Sequence, residues 1–258
     1  MIRLGICTAA QYAPQMKQIG FDYIELAMSA TAKLSDAEFA ETKRIIKDCG
    51  LPCEAMNGML PPEVRVTGTN VQAQKIHDYL SLAFDRAQEL GVKVVVFGSS
   101  GARAVEDGFD YAQAWRQLGN FLRMAERHAL SHDLDIAIEP LRRAECNIIN
   151  YVSEGTLLAA LVNMPHIGVL GDLYHMVTGS EPLDALTRAG SLLKHIHVAN
   201  GIGRWFPKPR DGENYAGLFD TLNKMGYEGR VSIEGKTEDL LTDADVAYRY
   251  LRQLRDGQ

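Results

Sequence analysis

The sequence predicts a single closed (β/α)8 barrel spanning residues 1–258. Three observations carry that expectation: eight short β-branched runs, segments of helical period between them, and a length near the roughly 250 residues usual for eight strand–helix units. No Ser-, Pro- or Gly-rich linker and no block of like charge divides the chain. With 46% hydrophobic and 23% charged residues, it has the composition of an ordinary globular domain.

The strand candidates begin at Ile2 (IRLGIC), Asp22 (DYIEL), Leu51 (LPCEAMN), Val92 (VKVVVFG), Leu134 (LDIAIE), His166 (HIGVLGD), Leu193 (LKHIHVA) and Arg230 (RVSIE). Between the second and third, Ser35-Asp36-Ala37-Glu38 reads as a capping box opening a helix with Phe39, Ile45, Ile46 and Cys49 on one face, and Gly50 closes it. Ile76, Leu80, Ala83, Phe84 and Ala87 recur at helical steps before Gly91, as do Trp115, Leu118, Phe121, Leu122 and Ala125 later. Gly226 ends a shorter helix, GLFDTLNKM. The stretch 60–70 (LPPEVRVTGTN) has two prolines and no period, and reads as a covering loop that keeps water from the catalytic face. The turn GSSGAR at 98–103 lacks the spacing of a dinucleotide loop. Arg65 and Arg103 are candidates to hold a substrate anion. Trp205 and Phe206 are candidates for an apolar wall, and Phe97 reads as core.

Twenty-seven basic against 33 acidic residues give a net charge of −6, which argues against nucleic acid or an anionic membrane as partner. No apolar stretch approaches the roughly 20 residues of a bilayer helix, and the first residues lack a signal-peptide layout, so a cytoplasmic location is expected. The four cysteines, Cys7, Cys49, Cys53 and Cys146, form no CxxC pair and read as unpaired thiols.

In such a barrel, chemistry sits where strands exit at their C-terminal ends. Four consecutive apolar strands end in Glu139, Asp172, His197 and Glu234. Three carboxylates confined together repel one another unless a cation neutralises them. Three hard oxygen donors and one nitrogen, without thiolate, suit Mn²⁺, Mg²⁺ or Co²⁺. In HIH, alternation points His195 and His197 to the same face; His197 is nearer the exit, and His195 reads as a hydrogen-bonded partner behind it.

IAIEPLRRAE (136–145), VLGDLYHM (169–176), HIHVAN (195–200) and VSIEG (231–235) together resemble the xylose-isomerase-like family of sugar isomerases and epimerases. The resemblance implies a TIM barrel in which Glu139, Asp172, His197 and Glu234 bind one divalent metal ion per chain, Mn²⁺ foremost. It further implies that Glu139 and Glu234 act as the acid–base pair, moving a proton of a ketose or keto-sugar through a metal-bound enediolate. It assigns Glu145, His175 and Arg204 to substrate binding, and homo-oligomers are frequent among such proteins. The family's ketose epimerases carry aromatic residues at early strand exits. This chain instead has Cys7 and Thr8 at the first and Asn57-Gly58-Met59 at the third, which leaves the substrate open.

Three alternatives accompany this expectation. A hydroxypyruvate-type aldose–ketose isomerase would use the same four ligands. An apurinic endonuclease would need more metal ligands and a basic face, against seven histidines and an acidic chain. A non-catalytic sugar-binding barrel would have no use for two acid–base glutamates.

Overall fold

The computed structural model describes residues 1–257. β1 (Arg3–Cys7), β2 (Tyr23–Ala27), β3 (Cys53–Asn57), β4 (Val94–Phe97), β5 (Asp135–Ile138), β6 (Ile167–Asp172), β7 (Leu193–Val198) and β8 (Arg230–Ile233) pair in sequence order, all parallel. The barrel closes between β1 and β8, with Arg3 opposite Arg230 and Ile6 opposite Ile233. Each of the eight expected runs is a strand.

The helices form where local sequence favours them. Ser35 accepts the Glu38 backbone N–H, while the Glu38 carboxylate accepts that of Ser35, so two orphan donors at the start of the helix Asp36–Cys49 are satisfied. Gly50 and Gly91, at φ 64° and 83°, end the helices Asp36–Cys49 and Ala73–Leu90 in left-handed conformation. The helix Tyr111–His132 buries Leu118, Phe121, Leu122 and Ala125 against the barrel, each large side chain contributing about 1.5–3 kcal/mol. Phe97 packs in this layer against Phe121 at a ring separation of 4.9 Å.

Side-chain alternation divides the strand residues between two cores. Ile196 and Val198 of β7 join the layer under the helices, whereas Tyr23, Ala55, Val94, Val96, Ala137 and Leu170 form a separate plug inside the barrel. The Tyr23 ring lies so close to Gly5 that a Cβ there would meet it at 2.2 Å, so β1 has no room for a side chain at this height. Toward the C-terminal ends the inner positions turn polar: Glu25 on β2, Asn57 on β3, Asp172 on β6 and His197 on β7, with Glu139 and Glu234 one residue beyond β5 and β8. The apolar plug thus supplies a floor, and the polar ring above it is the mouth.

Two expectations change. Arg103 is fully buried and donates to the carbonyl oxygens of Phe97 (2.7 Å), Glu139 (2.6 Å) and Ile149 (3.5 Å), pinning the ends of β4 and β5 together. Arg65 donates to the carbonyls of Gly101, Thr67 and Ala104. Neither guanidinium faces an anion site, because backbone carbonyls take up its donors. The 60–70 loop is fixed by these contacts and by the buried side chains of Leu60, Val64 and Val66, and it forms a wall beside the mouth. Among the described residues no helix is long and apolar enough to cross a membrane.

Candidate active site

One donor atom from each of Glu139, Asp172, His197 and Glu234 lies within 4.8 Å of the others. Local structure seats each one. A Cβ at Gly98 would come within 2.1 Å of Glu139 Oε2, so the glycine at the β4 exit makes room for that carboxylate. Asp172 caps the helix Leu173–Thr178: its Oδ1 accepts the backbone N–H groups of Tyr174 (2.8 Å) and His175 (3.3 Å), which leaves Oδ2 for the mouth. Asn57 donates from Nδ2 to Glu234 Oε1 at 3.1 Å.

Behind this group lies a fully buried carboxylate. Glu25 accepts from His197 Nε2 at 2.9 Å through Oε1 and from His195 Nε2 at 2.8 Å through Oε2. With Nε2 anchored, His197 presents Nδ1 to Glu139 Oε1 at 3.3 Å and Glu234 Oε2 at 3.2 Å. The inner network continues from His195 to Ser232 (3.4 Å) and from Ser232 to the Tyr23 hydroxyl (2.7 Å).

The charges follow from burial and partners. Burial works to raise Glu25, but the positive charge of His197 and then of His195, with their hydrogen bonds, holds it far below the carboxylate range. Burial would lower His197, yet Glu25 and Glu234 outweigh it and raise the imidazole well above its ordinary value. Burial dominates at His195 and keeps it below the ordinary value. Glu139 is raised by burial and then by the charge of Glu234. Glu234 is held at about 2, since His197 and Arg204 overcome the burial that would raise it.

These residues fit a divalent cation. Three carboxylates and an imidazole nitrogen converge, and the far side of the imidazole is fixed by a carboxylate, the arrangement that orients histidine ligands. The set also demands positive charge, which the Arg204 guanidinium supplies by pairing with Glu234 and with Asp172 Oδ2 at 3.1 Å. A second group, Cys7, Glu25 and His197, also clusters, but both Glu25 oxygens are already taken by the Nε2 atoms of His195 and His197.

The three residues expected to bind substrate stand around this centre. His175 is buried and accepts the Arg142 backbone N–H at Nδ1 (3.2 Å); its Nε2 then carries the proton and has no hydrogen-bond partner, lying 3.7 Å from Asp172 and 4.0 Å from Glu145. Glu145 pairs with Arg142 at 2.7 Å and also lies 3.8 Å from Arg204. Tyr174 sits between the Arg142 and Arg204 guanidinium groups, 5.1 and 5.0 Å from its ring centre. Trp205, exposed, and Phe206, buried, both line a separate surface cavity beyond β7 and do not wall the mouth.

Sequence reasoning missed Glu25, Asn57, Tyr174 and Ser232. Only Glu25 left a signal: it shares the inward face with Tyr23 in the otherwise apolar DYIEL, and a buried glutamate needs partners.

Fold and rim together define a (β/α)8 barrel with a carboxylate–imidazole centre at its C-terminal mouth, the place where barrels of this kind carry chemistry. The family model for the xylose isomerase-like TIM barrel matches residues 14–255, and the chain belongs to that family. It is 27% identical over 230 residues to D-psicose 3-epimerase of Agrobacterium fabrum, covering 86% of this chain and 78% of that protein. It is 26% identical over 248 residues to 3-dehydro-D-guloside 4-epimerase of Escherichia coli, covering 91% and 88%. A crystal structure of D-psicose 3-epimerase in the presence of D-fructose superposes with a TM-score of 0.88 over 98% of this chain and 99% of that one, at 19% identity, a likeness of fold.

Proposed function

We propose that this chain is a divalent-metal-dependent epimerase of ketoses or keto-sugars, moving one proton at the carbon beside the carbonyl. Its curated relatives support the broader statement that it is an isomerase acting on carbohydrates. The finer reading is carried by one observation, the convergence of Glu139, Asp172, His197 and Glu234 within 4.8 Å at the barrel mouth. These four would hold the ion, with Mn²⁺ favoured by hard oxygen donors and one imidazole. When bound, a divalent ion polarises a carbonyl and offsets the negative charge that develops as the C–H bond breaks.

Glu139 and Glu234 enter the mouth from strands three apart around the barrel. One takes the proton from carbon and the other delivers a proton to the opposite face, with an enediolate between the two transfers. His175 donates its free Nε2–H to a substrate oxygen, Glu145 accepts from a hydroxyl, and Arg204 steadies oxygen on which negative charge develops. Leu60 and Pro62, which line the mouth, keep water from the reacting carbon. Four free cysteines suit a reducing compartment and support a cytoplasmic location.

Solvent deuterium tests the reading. The Mn²⁺-loaded protein in D2O is expected to place label on the carbon beside the carbonyl and to yield the epimeric sugar. A panel of ketoses and keto-sugars that shows no incorporation overturns proton transfer, and a product aldose in place of an epimer overturns epimerisation.

A further inference from the structure

One aromatic side chain adjoins all three residues expected to hold substrate. Tyr174 precedes His175 in the chain and its ring centre lies 5.0 Å from the Arg204 guanidinium. The same ring centre lies 5.1 Å from the guanidinium of Arg142, which pairs with Glu145 at 2.7 Å. Tyr174 is buried, and its backbone N–H donates to Asp172 Oδ1 at 2.8 Å, so the ring is rooted beside a rim carboxylate. It is a fixed surface under a mobile pair of cations.

Arg204 needs such a surface. Its backbone stands at φ 61°, a left-handed conformation that strains a residue other than glycine, and is locked by two hydrogen bonds. The Arg204 N–H donates to the Asn200 carbonyl at 3.1 Å, and the Lys236 N–H donates to the Arg204 carbonyl at 2.6 Å. These contacts aim the side chain but do not hold its far end, because the guanidinium follows several rotatable bonds. Its charged partners are Glu234, Asp172 Oδ2 at 3.1 Å and Glu145 Oε2 at 3.8 Å. Glu234 and Asp172 are the residues that would also hold the metal ion. The negative face of an aromatic ring attracts a guanidinium without serving as a ligand for that ion. Tyr174 is therefore a contact that Arg204 keeps whichever cation the carboxylates serve.

We propose that Tyr174 is a positioning residue, whose ring holds the Arg204 guanidinium where it steadies a substrate oxygen as negative charge develops. The effect on turnover rests on the epimerase reading, while the contact between ring and cation is tested by stability alone. Tyr174→Phe keeps the ring, and mono-, di- and trifluorinated phenylalanines at position 174 drain its negative face while nearly preserving its shape. Packing is thus held constant across the series.

With the Mn²⁺-loaded protein and the ketose it turns over fastest from a panel of 2-ketohexoses and 2-ketopentoses, Tyr174→Phe is expected to act within about twofold of the wild type. The kcat should then fall with each added fluorine, by about fivefold or more at the trifluorinated ring, with KM within about twofold. A kcat that is level across the fluorinated series, or that falls only between Tyr and Phe, overturns the proposal. So does a rise in KM with kcat unmoved, which marks a loss of ground-state binding. Urea unfolding of the metal-free protein supplies the second measurement. Trifluorination should lower the folding equilibrium constant about threefold or more in the presence of Arg204 and leave it unchanged beside Arg204→Met. The same loss in both backgrounds overturns the proposal, since the ring would then act through packing. If the wild type exchanges deuterium with no member of the panel, the epimerase reading falls and the urea cycle still decides whether Tyr174 holds Arg204.

Discussion

Replacing Glu25 by Gln should weaken Mn²⁺ binding about 10–100-fold while leaving the barrel folded. The glutamine amide nearly matches the carboxylate in shape. Its oxygen can accept from His197 Nε2–H, and its NH2 can donate to His195 Nε2 if that ring moves its proton to Nδ1, a nitrogen with no partner in the wild type. Hydrogen-bond topology therefore survives and charge is what disappears. Each of two charge-assisted bonds becomes a neutral one, at a cost of about 1 kcal/mol apiece. For a chain of this size the resulting loss of about 2 kcal/mol corresponds to roughly 4–8 °C in Tm. The bond that would act on a metal ion is the one to His197: with a neutral acceptor behind it, the Nδ1 lone pair is a weaker ligand and less firmly aimed at the space between Glu139 and Glu234. Calorimetric titration of the apoprotein with MnCl2, beside a thermal melt, separates the two effects. A variant that melts several degrees lower yet binds Mn²⁺ within twofold of the wild type would refute the argument and reduce Glu25 to a core-stabilising residue.

Glu234→Gln should lower solvent-deuterium exchange at least about a hundredfold, the minimum usual contribution of a positioned general base, while a substrate analogue still binds by calorimetry; undiminished exchange removes Glu234 from the acid–base pair. Arg103→Met leaves the buried Glu139 carbonyl without its donor, while the carbonyls of Phe97 and Ile149 keep the backbone N–H groups of Glu139 and Leu141, and it should destabilise the protein by about 1–3 kcal/mol in a denaturant titration; a stability change within about 0.5 kcal/mol would show that the Glu139 carbonyl does not depend on it. Cys53 is fully buried and its thiol is pushed up to about 12 by that burial, so at pH 9 only about one molecule in a thousand carries the thiolate. Mass spectrometry after iodoacetamide treatment of the native protein should find Cys53 unmodified, and rapid labelling would contradict its burial.

Much of the barrel is written locally. β-branched runs, the Ser35 capping box and the glycines after helices each act over a few residues, and period-two alternation already assigns His195 and His197 to one face. The strand-end positions of Glu139, Asp172, His197 and Glu234 were legible for the same reason: a polar residue closing an apolar strand stands out in sequence, and parallel barrels bring all such ends to one rim. Their convergence within 4.8 Å required the closed register of eight strands.

The fates of Arg65 and Arg103 were not legible. Whether a loop arginine meets an anion or a set of carbonyls depends on which distant backbone groups remain unpaired after folding. Glu25 makes the same point most sharply, since its hydrogen bond to His195 joins residues 170 apart. The sequence by itself determined the strands, the caps and the identity of the rim residues, because those are set by short-range propensity and alternation. Only the tertiary structure decided the partner of each buried charge, because shear and closure of the barrel choose which inward positions meet across its axis.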